Sequence, residues 1–141
     1  MDVVGPRESE LIRSALRNLP NPVRIVSYTG DLESWYSRAE RLLLETIARS
    51  SDRVELEILA ERWDSTREAE VGIDRTPAIV PRGDRDHGIR FYGLPDGYEL
   101  ETFLATIRAI SERDSGLSPR SRERLHELTA PVHLEVFASP T

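Results

Sequence analysis

The chain has 141 residues, of which 38% are hydrophobic and 31% charged, with a net charge of −6; that is enough length for one real core. The acidic balance argues against nucleic acid, which needs a basic face, and no apolar run approaches the ~20 residues of a membrane span. All 19 basic residues are arginine and cysteine is absent, which excludes lysine Schiff bases, thiol–disulfide exchange and thiolate-held zinc for this chain on its own.

Met1 to Glu10 lacks the charged-then-apolar order of a signal peptide, so a cytoplasmic location is expected. Within Glu8 to Asn18, Leu11, Ile12, Ala15 and Leu16, continued by Leu19, mark one face of a first helix. Pro20 and Pro22 end it, because each lacks an amide donor and crowds the preceding turn. Val23, Ile25, Val26 and Tyr28 form a short buried strand. A long helix follows to about Arg49, with Asp31 as its candidate cap and Ala39, Leu42, Leu43, Ile47 and Ala48 turned inward. Val54, Leu56 and Ile58 alternate with Glu55 and Glu57, which reads as a strand with one wet face.

Asp64 or Ser65 caps a short helix that Gly72 terminates. Thr76 to Val80 reads as a strand beginning at a proline. The polar stretch Arg82 to His87 joins it to Ile89–Tyr92 as a hairpin. After a Gly93–Gly97 turn, Leu100, Phe103, Leu104, Ile107 and Ile110 give the clearest helical stripe in the chain. The order is α-β-α-β-α-β-β-α. Its β-α-β part calls for a right-handed crossover and a parallel pair, and the hairpin supplies an antiparallel edge. The expected fold is an α/β, thioredoxin-like sandwich: a central four-stranded mixed sheet with helices on both faces.

The sequence then begins again. Leu19-Pro-Asn-Pro22-Val23-Arg-Ile25-Val-Ser-Tyr28 returns as Leu128-Thr-Ala-Pro131-Val132-His-Leu134-Glu-Val-Phe137 at a constant offset of 109. A repeat of this length is a domain, not a turn of a solenoid. Residues 1–113 are therefore read as one whole unit and Asp114 to Ser118 as a linker. Residues 119–141 are read as the opening helix and strand of a truncated second unit, starting with Ser118 as cap and Pro119 in the first turn.

Three stretches carry a family resemblance: Ile73-Asp-Arg-Thr76-Pro77-Ala-Ile-Val, then Gly88-Ile-Arg-Phe-Tyr-Gly93-Leu-Pro95-Asp-Gly97-Tyr-Glu99, and the repeated Pro-Val strand. Together they resemble the glutaredoxin-like protein disulfide oxidoreductases, which carry two thioredoxin-fold units in one chain. The N-terminal half of the flavoprotein reductase that serves alkyl hydroperoxide peroxidases is similar too. The resemblance implies a Cys-x-x-Cys at the start of the second helix, where free amides and the helix dipole favour thiolate. The matching residues here are Ser34-Trp35-Tyr36-Ser37. Serine forms no disulfide, so the expected chain is a redox-inert half of an oxidoreductase, either naturally silent or altered from cysteine to serine. The bland alternative is an ordinary helix start in which serine satisfies free amides.

The resemblance also implies a cis peptide at Thr76–Pro77 facing the Ser34–Ser37 turn, with backbone groups that pair with an extended substrate strand. A trans proline opening a strand is the alternative. Trp35, Tyr36, Thr76 and Pro77 are the expected substrate contacts, although the two aromatics suit a simple cover over the helix start equally well. In the second unit, the family's active cysteine would fall immediately after Thr141, which fits truncation or a selenocysteine codon read as a stop.

No cofactor or metal is expected. Asp84, Asp86 and His87 read as a solvated turn without a convincing second ligand group. His126 and His133 are single, Glu55 and Glu57 lack an acid–base partner, and Gly93 and Gly97 flank a proline turn with no following lysine. The implied partner is a protein disulfide or peptide, with glutathione at the helix N-terminus as a weaker reading. A non-catalytic docking module is the rival function. The strand from Val132 to Phe137, lacking second-unit partners, is expected either to join this unit's own sheet edge or to pair with a second copy as a two-fold dimer.

Overall fold

A computed structural model describes residues 4–30, 34–60 and 65–138. In chain order the elements are α1 (Pro6–Ala15), β1 (Val23–Tyr28), α2 (Trp35–Arg49), β2 (Val54–Leu59), α3 (Ser65–Val71), β3 (Ala78–Arg82), β4 (Phe91–Tyr92), α4 (Tyr98–Glu112) and α5 (Pro119–His126). The four strands form one sheet in the order β2-β1-β3-β4. β1 is parallel to β2, and β3 is antiparallel to both β1 and β4. This is the mixed four-stranded sheet that the order of elements predicts.

The ladder explains how a proline sits inside a central strand. The Val23 amide donates to the Arg53 carbonyl at 2.8 Å and the Thr29 amide to the Leu59 carbonyl at 2.9 Å. Bonding residues alternate along a parallel ladder, so Val23, Ile25 and Ser27 turn their backbone groups to β2. Arg24, Val26 and Tyr28 turn theirs to β3. Pro81 lies opposite Ile25, where the missing amide points away from β1. β4 reaches only Ala78 and Ile79, so no ladder bond is lost at Pro81.

The core divides by face. On one side Ile12 of α1 with Leu16 just beyond its end, the inward stripe of α2 and the five-residue stripe of α4 close over Val23, Ile25, Val54 and Ile79. Phe103 anchors this side with an edge-on contact to Phe91 at 5.0 Å between ring centres. On the other side a smaller cluster of Val26, Tyr28, Ile73, Ala78 and Val80 is supported by Val71 at the end of α3. Below it that face is wet, and Arg24 pairs with Glu57 there.

Several boundaries differ from the sequence expectation. α1 ends at Ala15, because Asn18 adopts a left-handed backbone (φ 54) and the Arg108 guanidinium takes the Ala15 and Arg17 carbonyls. Asp31 and Asp64, named as caps, lie outside the described residues; the N-cap of α2 is Ser34. Leu42, expected inward, is 47% exposed, while Leu44 and Glu40 are buried. Three successive leucines span more than half a helical turn, so one of them must face out. β3 begins two residues late, at Ala78, and β4 is two residues long. The expected strand from Val132 to Phe137 is not one: residues 129–138 carry no regular structure beyond a bend, and 127–138 are exposed. It does not join this unit's own sheet, whose described strands are β1 to β4.

Candidate functional site

The second helix opens directly beyond β1, and its first turn is a serine cap. Ser34 has an extended backbone (φ −64, ψ 147) and accepts from the Ser37 amide at 3.1 Å, satisfying one of the free amides of a helix start. Its hydroxyl also bonds the Ser37 hydroxyl at 2.9 Å. Ser37 in turn lies 3.1 Å from the Thr29 hydroxyl at the end of β1. Among the described residues the side-chain partners of this pair are each other and Thr29, all hydroxyls. A serine nucleophile needs a positioned base, and none of these groups is one.

The Thr76–Pro77 loop stands beside this turn. The Thr76–Pro77 peptide is cis. The Pro77 carbonyl accepts from the Gly93 amide at 3.2 Å, which fastens the entry to β3 to the exit from β4. Gly93 has φ +90, and a Cβ there would lie 3.9 Å from the Tyr36 ring. On the other side a Cβ on Gly30 would meet the Thr76 hydroxyl at 3.4 Å. Tyr36 thus lies beside Gly93, whose amide bonds Pro77, and Gly30 lies beside Thr76.

Trp35 and Tyr36 are half exposed and meet edge-on, with ring centres 5.8 Å apart. Arg75 lies over the Tyr92 ring at 4.4 Å, so the rim of the loop is aromatic and cationic. Asp86 is paired with Arg90, Asp84 lies 3.9 Å from Arg113, and His133 pairs with Glu135. No group of metal ligands forms among the described residues.

One site residue escapes the sequence reading. Glu40 follows Ser37 by one helical turn on the inward face and is 2% exposed. Ser27, itself buried, donates to its Oε1 at 2.7 Å, and its Oε2 is buried with no partner among the described residues. Burial pushes the carboxyl above its ordinary range, and the Ser27 hydroxyl partly opposes that shift. Ser27 and Thr29 alternate on the same face of the chain, so a line of polar side chains runs from the half-buried serine turn into the core. The signal was present: a glutamate on the same helical face as Ala39, Leu43 and Ile47, and a serine in line with the buried Val23 and Ile25 of β1.

No protein-family model matches the chain, and no curated protein matches it. Solved structures do. The N-terminal domain of alkylhydroperoxide reductase AhpF from Enterococcus faecalis superposes with a TM-score of 0.73 at 17% identity, over 86% of this chain and 59% of that one. A mutant of the AhpF subunit from the same organism gives 0.74 at 19%, over 89% and 61%. A protein disulfide oxidoreductase from Aeropyrum pernix gives 0.72 at 21%, over 91% and 56%. The fold is thioredoxin-like. The chain spans less than two thirds of the length of each of these neighbours, and at such identities the likeness establishes the fold alone.

Proposed function

We propose that this chain is the redox-inert, N-terminal unit of a two-unit, glutaredoxin-like thiol–disulfide oxidoreductase, with residues 119–141 opening its second unit. The observation that carries this reading is Ser34-x-x-Ser37 at the first turn of α2, beside Thr76–Pro77, in a thioredoxin-like chain without cysteine. The turn keeps the spacing of a dithiol and offers hydroxyls in place of sulfur. A hydroxyl gives up its proton far less readily than a thiol and cannot bridge to a second one. In this reading the unit orients a protein disulfide or peptide along the Thr76–Pro77 backbone, between Trp35 and Tyr36. Sulfur or selenium chemistry belongs to the second unit.

The first test restores the sulfur. The Ser34→Cys, Ser37→Cys double variant is expected to form an internal disulfide and to reduce insulin with dithiothreitol or glutathione as the electron source. The unaltered chain is expected to match the uncatalysed background. A correctly folded double variant that stays at background would favour the rival reading, a docking module that binds partner polypeptides. Glutathione binding at the α2 N-terminus is the third reading, and titration of the unaltered chain with glutathione separates it from the other two.

A further inference from the structure

Arg75 stands immediately before the cis Thr76–Pro77 peptide, and its charge is held in place by a ring rather than by a carboxylate. The guanidinium lies over Tyr92, a contact that engages the positive charge and none of the five N–H donors. The ring itself is fixed. Tyr92 sits opposite Ala78 in the sheet and packs on the second core cluster, and its hydroxyl accepts from the Asp74 amide at 3.4 Å. The Asp74 carboxylate stays 3.6 Å from the Arg75 guanidinium, too far for a hydrogen bond. By contrast, Arg41, Arg49, Arg90 and Arg108 each bond a carboxylate at 2.8 Å or less. Among the described residues, the N–H groups of Arg75 form no hydrogen bond.

The adjoining backbone is open as well. Among the described residues, neither the amide nor the carbonyl of Thr76 has a hydrogen-bond partner. An unpaired amide and carbonyl on one residue are what an extended chain adds to, and a strand docked there runs past Arg75, one residue away. A carboxylate suits what Arg75 offers, because the guanidinium fork can give it two parallel N–H···O bonds. The net charge of −6 repels a partner that is acidic throughout, so the match is to one carboxylate in an otherwise neutral segment.

We infer that the polypeptide docked along Thr76–Pro77 presents a carboxylate side chain to Arg75, with Tyr92 holding the guanidinium ready for it. The inference rests on the docking proposed above and adds the chemistry of the partner: an extended segment with an aspartate or glutamate close to the residue paired with Thr76.

A tethered competition tests it. Gly30 is exposed, and a Cβ there would lie 3.4 Å from the Thr76 hydroxyl. With native cysteine absent, Gly30→Cys places a single thiol beside the loop. Mixed disulfides are equilibrated between this variant and short peptides with a central cysteine, using 2-mercaptoethanol as the reference thiol. One glutamate, or glutamine as its control, is moved through the other peptide positions. At one position or more, the glutamate peptide is expected to be retained about fivefold better than its glutamine twin. Adding Arg75→Gln is expected to remove that preference and to leave the glutamine peptides unchanged, whereas a merely structural role would weaken both peptides alike. Peptides retained over 2-mercaptoethanol with no glutamate preference, or with one that persists in Arg75→Gln, would overturn the inference and leave the docking reading standing. Peptides held no better than 2-mercaptoethanol would remove the docking reading and this inference with it. Glutathione retained above every peptide, and dependent on Arg75, would overturn it in favour of glutathione as the ligand.

Discussion

At the scale of single residues, Glu40 is the group with the most to say, because its environment and its charge conflict. Its carboxyl is buried, holds one hydroxyl donor and leaves the other oxygen unpaired. An ionised carboxylate in that setting costs far more than a neutral acid. The folded-state affinity for the proton is raised above the ordinary value of 4.5. The folded state therefore holds this proton more tightly than the unfolded chain does, and its contribution to stability is full below pH 4.5 and lost as pH rises through the raised value. Unfolding by urea across pH 4.5 to 8 is expected to show stability falling, with a slope of at most about 1.4 kcal/mol per pH unit from one group. Glu40→Gln removes that slope, whatever it does to stability at a single pH. An equally steep decline in the glutamine variant would mean that another group titrates. Asp86 behaves in the opposite sense. The Arg90 guanidinium, with help from the Gly88 amide, holds its carboxyl down at about 2 against an ordinary 3.8. Its contribution is present above about pH 4 and fades toward pH 2. Because the side chain is more than a third exposed, solvent screening limits it to about 1 kcal/mol or less. Asp86→Asn is expected to lower the unfolding temperature by a few degrees at pH 6 and to match the unaltered chain near pH 2.

Arg90 carries that residue-level argument up to the elements. Besides Asp86, its guanidinium takes the carbonyls of Val71 and Gly72 at the end of α3 and of Ile89 before β4. It closes the C-terminal carbonyls of a seven-residue helix, which lacks the length to be stable alone. Arg90→Ala is expected to cost about 2 kcal/mol, as a helix end loses its partners, and hydrogen exchange should accelerate first in residues 69–73. A uniform loss of protection across the sheet would show instead that Arg90 supports the whole core. Elements with a strong period were legible from the sequence. The α4 stripe falls on buried positions throughout, and β1 emerges as a buried strand, because their apolar residues recur at the period of the structure they form. Gly72, with φ +66, ends α3 as its sequence position suggests. What misled was local ambiguity. The leucine triplet at 42–44 fits two helical phases, and the choice between them depends on Glu40 being inside, which composition disfavours. The short β4 and the late start of β3 depend on which backbone groups find a partner across the sheet, and that information is not local.

At the scale of the molecule, the contrast lies between a closed unit and the segment that follows it. The first unit is bound to itself at both ends: Ser111 of α4 holds both backbone groups of Asn21 just before β1, and Arg108 holds the end of α1. Beyond Arg113 the pattern stops. α5 has a sound cap at Ser118 but buries no residue, and Leu125 and Leu128, which repeat the buried Leu16 and Leu19, are more than half exposed. The same sequence signal therefore gives a core in one place and an exposed arm in the other, because burial is supplied by neighbours and not by the segment itself. This makes the division at residues 114–118 testable. A chain ending at Arg113 is expected to keep the unfolding temperature of the 141-residue chain within about 2 °C, since the deleted residues remove almost no apolar area from water. A shorter chain that unfolds markedly earlier at low concentration would show that residues 119–138 support the first unit, and the two-unit reading of the sequence would then fail at its boundary.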